Sequence, residues 1–193
     1  MTRKQLKIFK NIPSIKTARL TLRGISLRDL DDVYEYSSDP KVSEFLLWTP
    51  HPNKGFTHRF IVSLLLGYKK GRYFNWGIEL DGKMIGTCGF TTFNIDENSA
   101  ELGYVLNREY WHRGIAVEAA RAVIEYGFSQ LDLEKITIRY MADNTRSAGV
   151  AIKCGMTVDT EPTFGIMCKG VTRVIRSCSV TKDEYNSNRD CHI

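Results

Sequence analysis

Several features that define particular protein classes are missing from this sequence. Its five cysteines are odd in number, widely spaced and never arranged as C-x-x-C, so neither a disulfide framework nor a zinc knuckle is expected. No stretch approaches the roughly eighteen apolar residues of a membrane span, and the basic amino-terminal segment lacks the apolar core of a signal peptide. We therefore expect a cytoplasmic protein with reduced thiols and no membrane partner.

The common nucleotide-binding motifs are also missing. No G-x-G-x-x-G follows a strand pattern. The segment GIMCKG (165–170) has the glycine spacing of a P-loop, but Val171 and Thr172 follow where lysine and then serine or threonine are required. ATP and NAD are therefore poor ligand candidates. The four histidines are scattered along the chain, which leaves no metal-ligand cluster, and we expect no metal.

The residues that are present are typical of a globular protein. Hydrophobic residues make up 42% and charged residues 25% of the 193 residues, enough to bury the core of one α/β domain. We expect a single domain over 1–193, with an amino-terminal extension over 1–15 and a polar tail over 181–193. The net charge of +5 comes from scattered lysines and arginines with no basic run of five. This indicates a solvated surface with a mild attraction for anions and no nucleic-acid partner.

The first half shows a strand pattern followed by two helix patterns. Residues 19–25 (RLTLRGI) alternate as a strand, and Ser26 and Asp29 have the N-cap and N3 spacing of a helix that Pro40 is expected to end. A second helix is predicted around 58–70. The loop between the two helices holds an aromatic and proline-rich set that either rims a pocket or fills the core: Trp48, Pro50, His51 and Pro52.

The second half predicts a mixed sheet. From 73 to 95 the pattern has period two, and Asp81-Gly82 supplies the positive φ angles of a two-residue hairpin turn. The following elements are strand 99–106, helix 117–131, strand 135–141, short helix 145–154 ended by Gly155, and strand 171–180. The long helix has apolar residues at spacings of three and four, which predict one buried face: Val117, Ala120, Val123, Ile124, Phe128 and Leu131. A β-α-β crossover joined to an antiparallel first half indicates an α+β or mixed α/β fold.

The junction WHRGIAVEAA (111–120) raises the question of a ligand site. A glycine at 114 costs about 0.8–1 kcal/mol in a helix relative to alanine, so its presence needs another reason. A helix that begins near Ile115 leaves its first N–H groups without internal acceptors and carries a partial positive charge. Because Gly114 and Ala116 are small, phosphate oxygens can reach these amides, and Arg113 adds a cation beside them. The alternative is a tight turn at Gly114 with Ala116 packed against the sheet.

Together with the segments beside it, this junction resembles a known family. ELGYVLNREYWHRGIAVEAARAVIEYGF (101–128) and MADNTRSAGVAIKCGM (141–156) are similar to the acetyl-CoA-binding core of the GNAT superfamily, in particular its ribosomal-protein-alanine N-acetyltransferase branch. The likeness extends from TARLTLRGI to VIRSCSV. It implies a mostly antiparallel mixed sheet with a splayed central strand, helices on both faces, and acetyl-CoA as cosubstrate.

The resemblance also implies a cofactor site, residue by residue. The strand at Tyr104, Val105 and Leu106 would pair its free backbone with the pantetheine amides, and Asn144 would bond the pantetheine arm. Ser147 matches a serine placed near the thioester sulfur. The loop that holds the pyrophosphate matches His112, Arg113, Gly114, Ile115, Ala116 and Val117.

Two positions depart from the family pattern. Trp111 stands where the loop usually opens with glutamine or arginine, which removes a polar contact without blocking the amides. Ala151 stands where many relatives carry a tyrosine that protonates the leaving thiolate. Ser147 or a water molecule must then take that role.

Acetyl transfer to an amine needs a proton acceptor, reactants held in line, and stabilisation of the oxyanion and the thiolate. Glu101, on the strand entering the site, is the first candidate for the base, acting directly or through a water; the alternative is a surface carboxylate paired with a cation. Ser147 is either the acid or a polar residue of a first helical turn. Asp159 and Glu161 are second candidates for attracting a cationic amine, with plain loop charges as the alternative.

These residues predict an N-acetyltransferase that moves an acetyl group from acetyl-CoA directly to a primary amine, such as a protein N-terminus. A small amine, such as a polyamine or an antibiotic, is the alternative acceptor. A non-catalytic acyl-CoA sensor is the alternative from another class. Nucleophilic chemistry at Cys88 or Cys154 is disfavoured because no histidine is paired with either. The sequence leaves the oligomeric state open, a homodimer included.

Overall fold

The computed structural model describes residues 12–70, 74–160 and 164–190, which form one mixed sheet with helices packed around it. None of the helices in these ranges is long and apolar enough to cross a membrane. The strands are β1 (Ile15–Lys16), β2 (Thr21–Arg23), β3 (Phe74–Leu80), β4 (Lys83–Asn94), β5 (Ser99–Leu106), β6 (Lys135–Met141), β7 (Thr157–Val158), β8 (Phe164–Cys168) and β9 (Val171–Thr181). The helices are α1 (Leu30–Ser37), α2 (Pro40–Ser43), α3 (Lys54–Lys69), α4 (Ile115–Gln130), α5 (Thr145–Lys153) and α6 (Lys182–Asp190).

The strand order confirms the mixed, mostly antiparallel sheet. The strands lie in the order β1-β2-β3-β4-β5-β6-β9-β7, and β8 pairs with β9. Among these neighbours only β5 and β6 are parallel. A parallel pair needs a crossover connection, and α4 supplies it, so the chain enters and leaves α4 beside the one parallel junction.

Local signals set the first helices. The Ser26 N–H donates to the Asp29 carboxylate at 2.7 Å and the Ser26 hydroxyl accepts from a first-turn amide, so the predicted capping box is present and opens a 3-10 turn that leads into α1. The helix ends at Ser37, and Pro40 begins α2, where a missing N–H is tolerated. Asn53 caps α3 by accepting from a first-turn amide at 2.9 Å.

Two hairpin turns organise the antiparallel strands. Between β3 and β4, Asp81 and Gly82 have φ angles of 50° and 80°, as the sequence predicted. Between β8 and β9, Lys169 and Gly170 have φ angles of 51° and 80°. The glycine spacing of 165–170 therefore belongs to a β-hairpin and not to a phosphate-binding loop.

Helices cover both faces of the sheet, as expected. On β4, Met84 packs with Val33 of α1 and Ile61 of α3, whereas the next residue, Ile85, packs in a separate cluster with Ile124 of α4. Successive side chains of a strand point to opposite faces. The two clusters therefore form one core on each side of the sheet.

The predicted long helix is present as α4, with its start two residues earlier than expected. Its buried face includes Ala119 and Ile115, and Val117 is only half-buried. The short helix α5 ends as predicted, with Gly155 following at a φ angle of 82°. The start of α4 at Ile115 places the small residues of the 111–120 junction directly at a helix amino terminus.

The polar tail adopts structure that the sequence patterns did not predict. The Thr181 N–H and hydroxyl both donate to the Glu184 carboxylate at 2.8 Å, and this pair caps α6. Strand β8 and the two-residue strands β1 and β7 were not predicted either. Strand β1 is at one end of the strand order and β7 at the other, whereas β8 pairs with β9 and contributes Phe164 and Ile166 to the cleft lining.

Candidate active site

A gap in the sheet forms the centre of the site. Strands β5 and β6 pair only from Ser99↔Lys135 to Glu101↔Thr137, although both continue for several residues. On its other edge β5 stays paired with β4 as far as Leu106. The strands therefore part directly after Glu101, leaving the β6-facing edge of 102–106 free. This is the splayed strand that the resemblance implies, and a cleft of about 1060 Å³ opens at it.

The amino terminus of α4 lies in the same cleft. Gly114 is its N-cap residue, with a φ angle of 74° and no side-chain cap on the helix. The backbone therefore takes the left-handed conformation that favours glycine. A Cβ added to Gly114 would meet only the Arg19 guanidinium, at 3.6 Å. The first-turn amides of α4 are thus open to a ligand, as an anion site requires.

The cleft brings together most of the predicted residues. Both catalytic candidates, Glu101 and Ser147, line it. The cofactor candidates that line it are Tyr104, Val105, Leu106, His112, Gly114, Ile115, Ala116, Val117 and Asn144. Arg113 is placed elsewhere: its guanidinium lies 5.3 Å from the centroid of the Tyr110 ring, outside the cleft lining. Its assignment as a pyrophosphate cation stays a prediction.

One cation that the sequence analysis did not identify is Arg146, which lies against the loop before α4. We call this loop and the start of α4 (111–117) the cradle. The Arg146 guanidinium stacks 4.2 Å from the Trp111 ring, and both residues line the cleft. The Trp111 indole N–H donates to the Leu106 carbonyl at 2.9 Å, which fixes the loop to the end of β5. Trp111 therefore replaces the polar side chain that usually opens the loop, but its ring holds the Arg146 guanidinium against the loop. The place of Arg146 between Asn144 and Ser147 was the only sequence signal for this contact.

A second missed feature is the clamp that holds the start of α4. The Glu118 carboxylate accepts from Thr17 at 2.6 Å, from the Arg19 N–H at 2.8 Å and from the Arg19 guanidinium at 2.7 Å. Arg19 also donates to the Arg113 carbonyl at 2.9 Å. Burial opposes ionisation of Glu118, but these hydrogen bonds outweigh it and lower its pKa. Arg19 thereby ties the amino-terminal strand segment to the cradle.

Ser147 and Tyr104 form a hydroxyl pair across the gap. The Tyr104 hydroxyl, from β5, donates to Ser147 Oγ, on α5, at 3.0 Å. Burial raises the pKa of Tyr104 above its ordinary value, so the phenol stays protonated. The sequence assigned Tyr104 to the site through its backbone only. Because the Tyr104 hydroxyl is the donor in this bond, the proton of the Ser147 hydroxyl remains available for donation to another group.

Asn144 caps a helix and also lines the cleft. Its Oδ1 accepts from the Ser147 N–H at 3.3 Å, so it caps α5, and its side chain lines the cleft. The amide nitrogen of a capping asparagine keeps its two donors. The N-cap role and a role in ligand binding are therefore compatible.

Glu101 lies at the point where the strands part and is paired with a cation. Its carboxylate accepts from Arg139 Nε at 2.7 Å and also from the Arg139 terminal nitrogen, and both residues line the cleft. This is the ion pair that the sequence left open as an alternative. Asp159 accepts from the Ser179 hydroxyl at 2.6 Å and is not part of the cleft lining. Glu161 lies outside the described residues.

The described cysteines give no sign of nucleophilic chemistry. All four, Cys88, Cys154, Cys168 and Cys178, are free and buried. Burial raises the pKa of the Cys88 thiol, and that of Cys154 to about 11, so neither is a thiolate at pH 7. In the described ranges, no three side chains of the metal-ligating types His, Cys, Asp and Glu form a candidate site.

Part of the cleft lining is a group of rings that we call the aromatic arm, formed by Trp48, His51, Phe56 and Phe60. The His51 ring centroid lies 5.4 Å from Trp48, 4.8 Å from Phe56 and 5.2 Å from Phe60. Trp48 and His51 fit both interpretations of the aromatic loop, because they line the cleft while Trp48 packs against the α1–α3 core cluster and His51 is only 6% exposed. The two phenylalanines, on α3, were not singled out from the sequence.

Comparison with known proteins agrees with this geometry. Residues 19–157 match the acetyltransferase (GNAT) domain family. The uncharacterized N-acetyltransferase p20 of Bacillus licheniformis is 36% identical over 137 residues, 69% of this chain and 76% of that protein. Spermidine N(1)-acetyltransferase of Escherichia coli is 26% identical over 172 residues, 86% of this chain and 88% of that protein.

A solved structure shows the same fold. The GNAT-family acetyltransferase of Bacillus anthracis superimposes with a TM-score of 0.78 at 26% identity, covering 89% of this chain and 99% of that one. The family match spans most of the chain, and it includes the parted strands and the uncapped helix start. The chain therefore belongs to the GNAT family and is an acetyl-CoA-dependent N-acetyltransferase.

Proposed function

We propose that this protein transfers the acetyl group of acetyl-CoA directly to a primary amine while both substrates are bound. The observation that carries the proposal is the shared cleft: a free strand edge and an uncapped helix start open into the same space. A free edge offers alternating N–H and C=O groups, and a helix start offers amides with partial positive charge. An amide-containing arm that ends in a pyrophosphate fits both.

The residues present suit such a cosubstrate. In the proposal, Tyr104, Val105 and Leu106 pair with the pantetheine amides and Asn144 bonds the same arm. The pyrophosphate lies over the loop at 112–117, with Arg146 as its cation. Gly114 adopts the left-handed conformation that opens α4, and a Cβ there would meet only the Arg19 guanidinium, at 3.6 Å.

The chemistry requires two proton movements. As the amine nitrogen attacks the thioester carbonyl carbon and the C–S bond breaks, the amine loses a proton and the departing thiolate gains one. We assign the first to Glu101, which is the only carboxylate among the described residues lining the cleft. We assign the second to the Ser147 hydroxyl. The bond from Tyr104 stabilises the charge that develops on Ser147 Oγ as its proton leaves.

The identity of the acceptor is the finer part of the proposal. The resemblance to the ribosomal-protein-alanine branch suggests a protein N-terminus, whereas the name of the Escherichia coli relative suggests a polyamine. Both acceptors are primary amines that react by the same steps. They differ in the charges that they bring into the cleft.

The test is release of free coenzyme A thiol with a panel of peptides and small amines. We expect turnover, and we expect Glu101→Gln to lower kcat about a hundredfold, the range of a general base, with coenzyme A affinity unchanged. Glu134→Gln, at an exposed glutamate outside the cleft lining, is the matched control and should be fully active. Coenzyme A binding without turnover on any amine would show a sensor, and full activity of Glu101→Gln would remove Glu101 from the proton step.

A further inference from the structure

The aromatic arm presents two partly exposed phenylalanine rings to the cleft. Phe56 is 41% and Phe60 is 39% exposed, and both line the cleft beside Trp48. Ligand sites are concave and lined largely by apolar and aromatic side chains. Exposed rings in a concave arm gain contact area when an apolar group covers them.

The polar residue of the arm contributes no charge. His51 Nδ1 is within hydrogen-bond distance of the Ser37 hydroxyl at 2.8 Å and of the Thr57 hydroxyl at 3.0 Å. The His51 main-chain N–H donates to the Ser37 carbonyl at 2.9 Å. Burial lowers the pKa of His51 below its ordinary value of 6.5. The ring is therefore neutral at pH 7 and is held in place by two hydroxyls.

The charged residues around the cleft are mainly cations. Those in the described lining are Lys41, Arg139, Arg146 and Lys153; Lys41 pairs with Glu44 at 3.6 Å, and Arg139 pairs with Glu101, the single carboxylate of that lining. A substrate with two ammonium groups would bring a second positive charge into a lining whose one carboxylate is already paired. Placing like charges together in a partly desolvated site is unfavourable.

We infer that the acceptor is a primary amine that carries one aromatic or bulky apolar group and no second cationic group, with the apolar group bound in the aromatic arm. This inference rests on the proposed acetyl transfer and names its substrate class. Two sources share the chemistry: a small arylalkylamine, and the amino terminus of a peptide that begins with an aromatic residue. Polyamines are excluded by the balance of charge.

The acceptors to compare are 2-phenylethylamine, n-propylamine, 1,4-diaminobutane, spermidine and a short amidated peptide that begins with phenylalanine. We expect kcat/KM for 2-phenylethylamine or the peptide to exceed that for the other three amines at least tenfold. The better of the two identifies the source. A preference for 1,4-diaminobutane or spermidine would overturn the inference and leave the acetyltransferase proposal standing.

The matched variants are Phe60→Ala and Leu66→Ala, which lie on the same helix and are both exposed in the wild type. Leu66 is not part of the cleft lining. Phe60→Ala should raise KM for 2-phenylethylamine about tenfold with n-propylamine unaffected, and Leu66→Ala should change neither. An unchanged KM in Phe60→Ala, with its thermal midpoint intact, would contradict binding in the arm.

Calorimetric titration of the coenzyme A complex with 2-phenylethylamine separates the inference from the function on which it rests. Binding that Phe60→Ala weakens, without turnover of any amine, would support the acceptor class and overturn the proposed function. Absence of binding together with absence of turnover of the aromatic acceptors would overturn the inference.

Discussion

At position 151 this chain departs from the pattern of its family. A fully buried alanine stands on α5 where many relatives of the family carry a tyrosine. A different phenol, that of Tyr104 on β5, reaches the same helix and donates to Ser147 at 3.0 Å. In the proposed mechanism, the proton for the thiolate comes from Ser147, supported by this hydrogen bond. The acid function is thus spread over two residues from two elements.

This arrangement predicts coupling between the two hydroxyls. Ser147→Ala should lower kcat about a hundredfold, as loss of a general acid does, with unchanged coenzyme A affinity. Tyr104→Phe should lower kcat about tenfold, because only the supporting hydrogen bond is lost. The double variant should be no slower than Ser147→Ala alone, since Tyr104 acts through the serine. Steady-state kinetics of the four proteins measures this.

Three outcomes would contradict the coupling. Additive losses in the double variant would mean that Tyr104 acts independently of Ser147. Normal rates in both single variants would mean that water protonates the thiolate. A KM for acetyl-CoA that rises in Tyr104→Phe would indicate a purely structural contact between β5 and the pantetheine.

Site residues that lie close to one another in the chain were predicted from the sequence. Residues whose contacts are with segments far away in the chain were missed. Asn144 and Ser147 are three residues apart, which places both in one helical turn and on one side of it. Arg19 and Glu118 are 99 positions apart, and nothing in either segment specifies the other. The contact between Arg146 and Trp111 depends in the same way on how α5 packs beside the loop before α4. Such pairs become visible only when the fold brings the two segments together.

At the scale of elements, two separate features of the start of α4 explain why position 114 is a glycine. The φ angle of 74° at Gly114 requires a residue that tolerates the left-handed region. The pyrophosphate that we propose to lie beside it requires a residue without a bulky side chain. The sequence left the tight turn and the ligand cradle as alternatives, and the geometry is compatible with both at once.

A pair of matched variants separates these two reasons. Gly82 also has a positive φ angle, of 80°, and a Cβ there would meet no atom within 4 Å. Gly114→Val and Gly82→Val should each lose stability, on the order of 1–2 kcal/mol for a left-handed β-branched residue. Only Gly114→Val should also weaken coenzyme A binding, at least tenfold, as measured by calorimetry. Equal affinities in the two variants would remove the anion site at α4.

Element prediction succeeded where periodicity was strong and failed where it was weak. Strands 99–106 and 135–141 have the predicted bounds, because alternating apolar residues bury one face of each. Helix α6 has no apolar stripe, although the Thr181-x-x-Glu184 capping spacing was a usable signal. Strand β8 was hidden by its glycine spacing, which resembles a different motif.

For the whole molecule, one buried ion network joins the first strand-to-helix connection to the sheet. Arg23 donates to both oxygens of Asp29, at 2.7 and 3.0 Å, and also pairs with Glu79 of β3. Asp29 is only 4% exposed and accepts from the Ser26 N–H as well. The network forms only once β2, β3 and α1 are assembled, so it contributes to cooperative stability.

The stability of the fold should therefore depend on pH through Asp29. Burial alone would raise the pKa of Asp29, but the hydrogen bonds from Arg23 and Ser26 outweigh burial and lower it from 3.8. A carboxylate whose pKa falls on folding stabilises the protein fully above its ordinary pKa, and this stabilisation is lost as the pH falls through the folded value. Asp29→Asn should cost about 1.5–3 kcal/mol of unfolding free energy at pH 7, because it weakens the hydrogen bonds of a charged pair while Arg23 keeps Glu79 as a partner.

Urea unfolding of wild type and Asp29→Asn from pH 7 down to pH 3 measures this dependence. The difference between the two should be constant in the neutral range and should shrink as the pH falls below 3.8, because the unfolded carboxyl takes up a proton before the folded one does. Asp132→Asn is the matched control, since Asp132 pairs with Lys182 at an exposed position and should give the wild-type midpoint throughout. The difference in unfolding free energy between wild type and Asp29→Asn could instead stay constant down to the pH at which the wild type unfolds. This result would show that charge on Asp29 does not stabilise the fold.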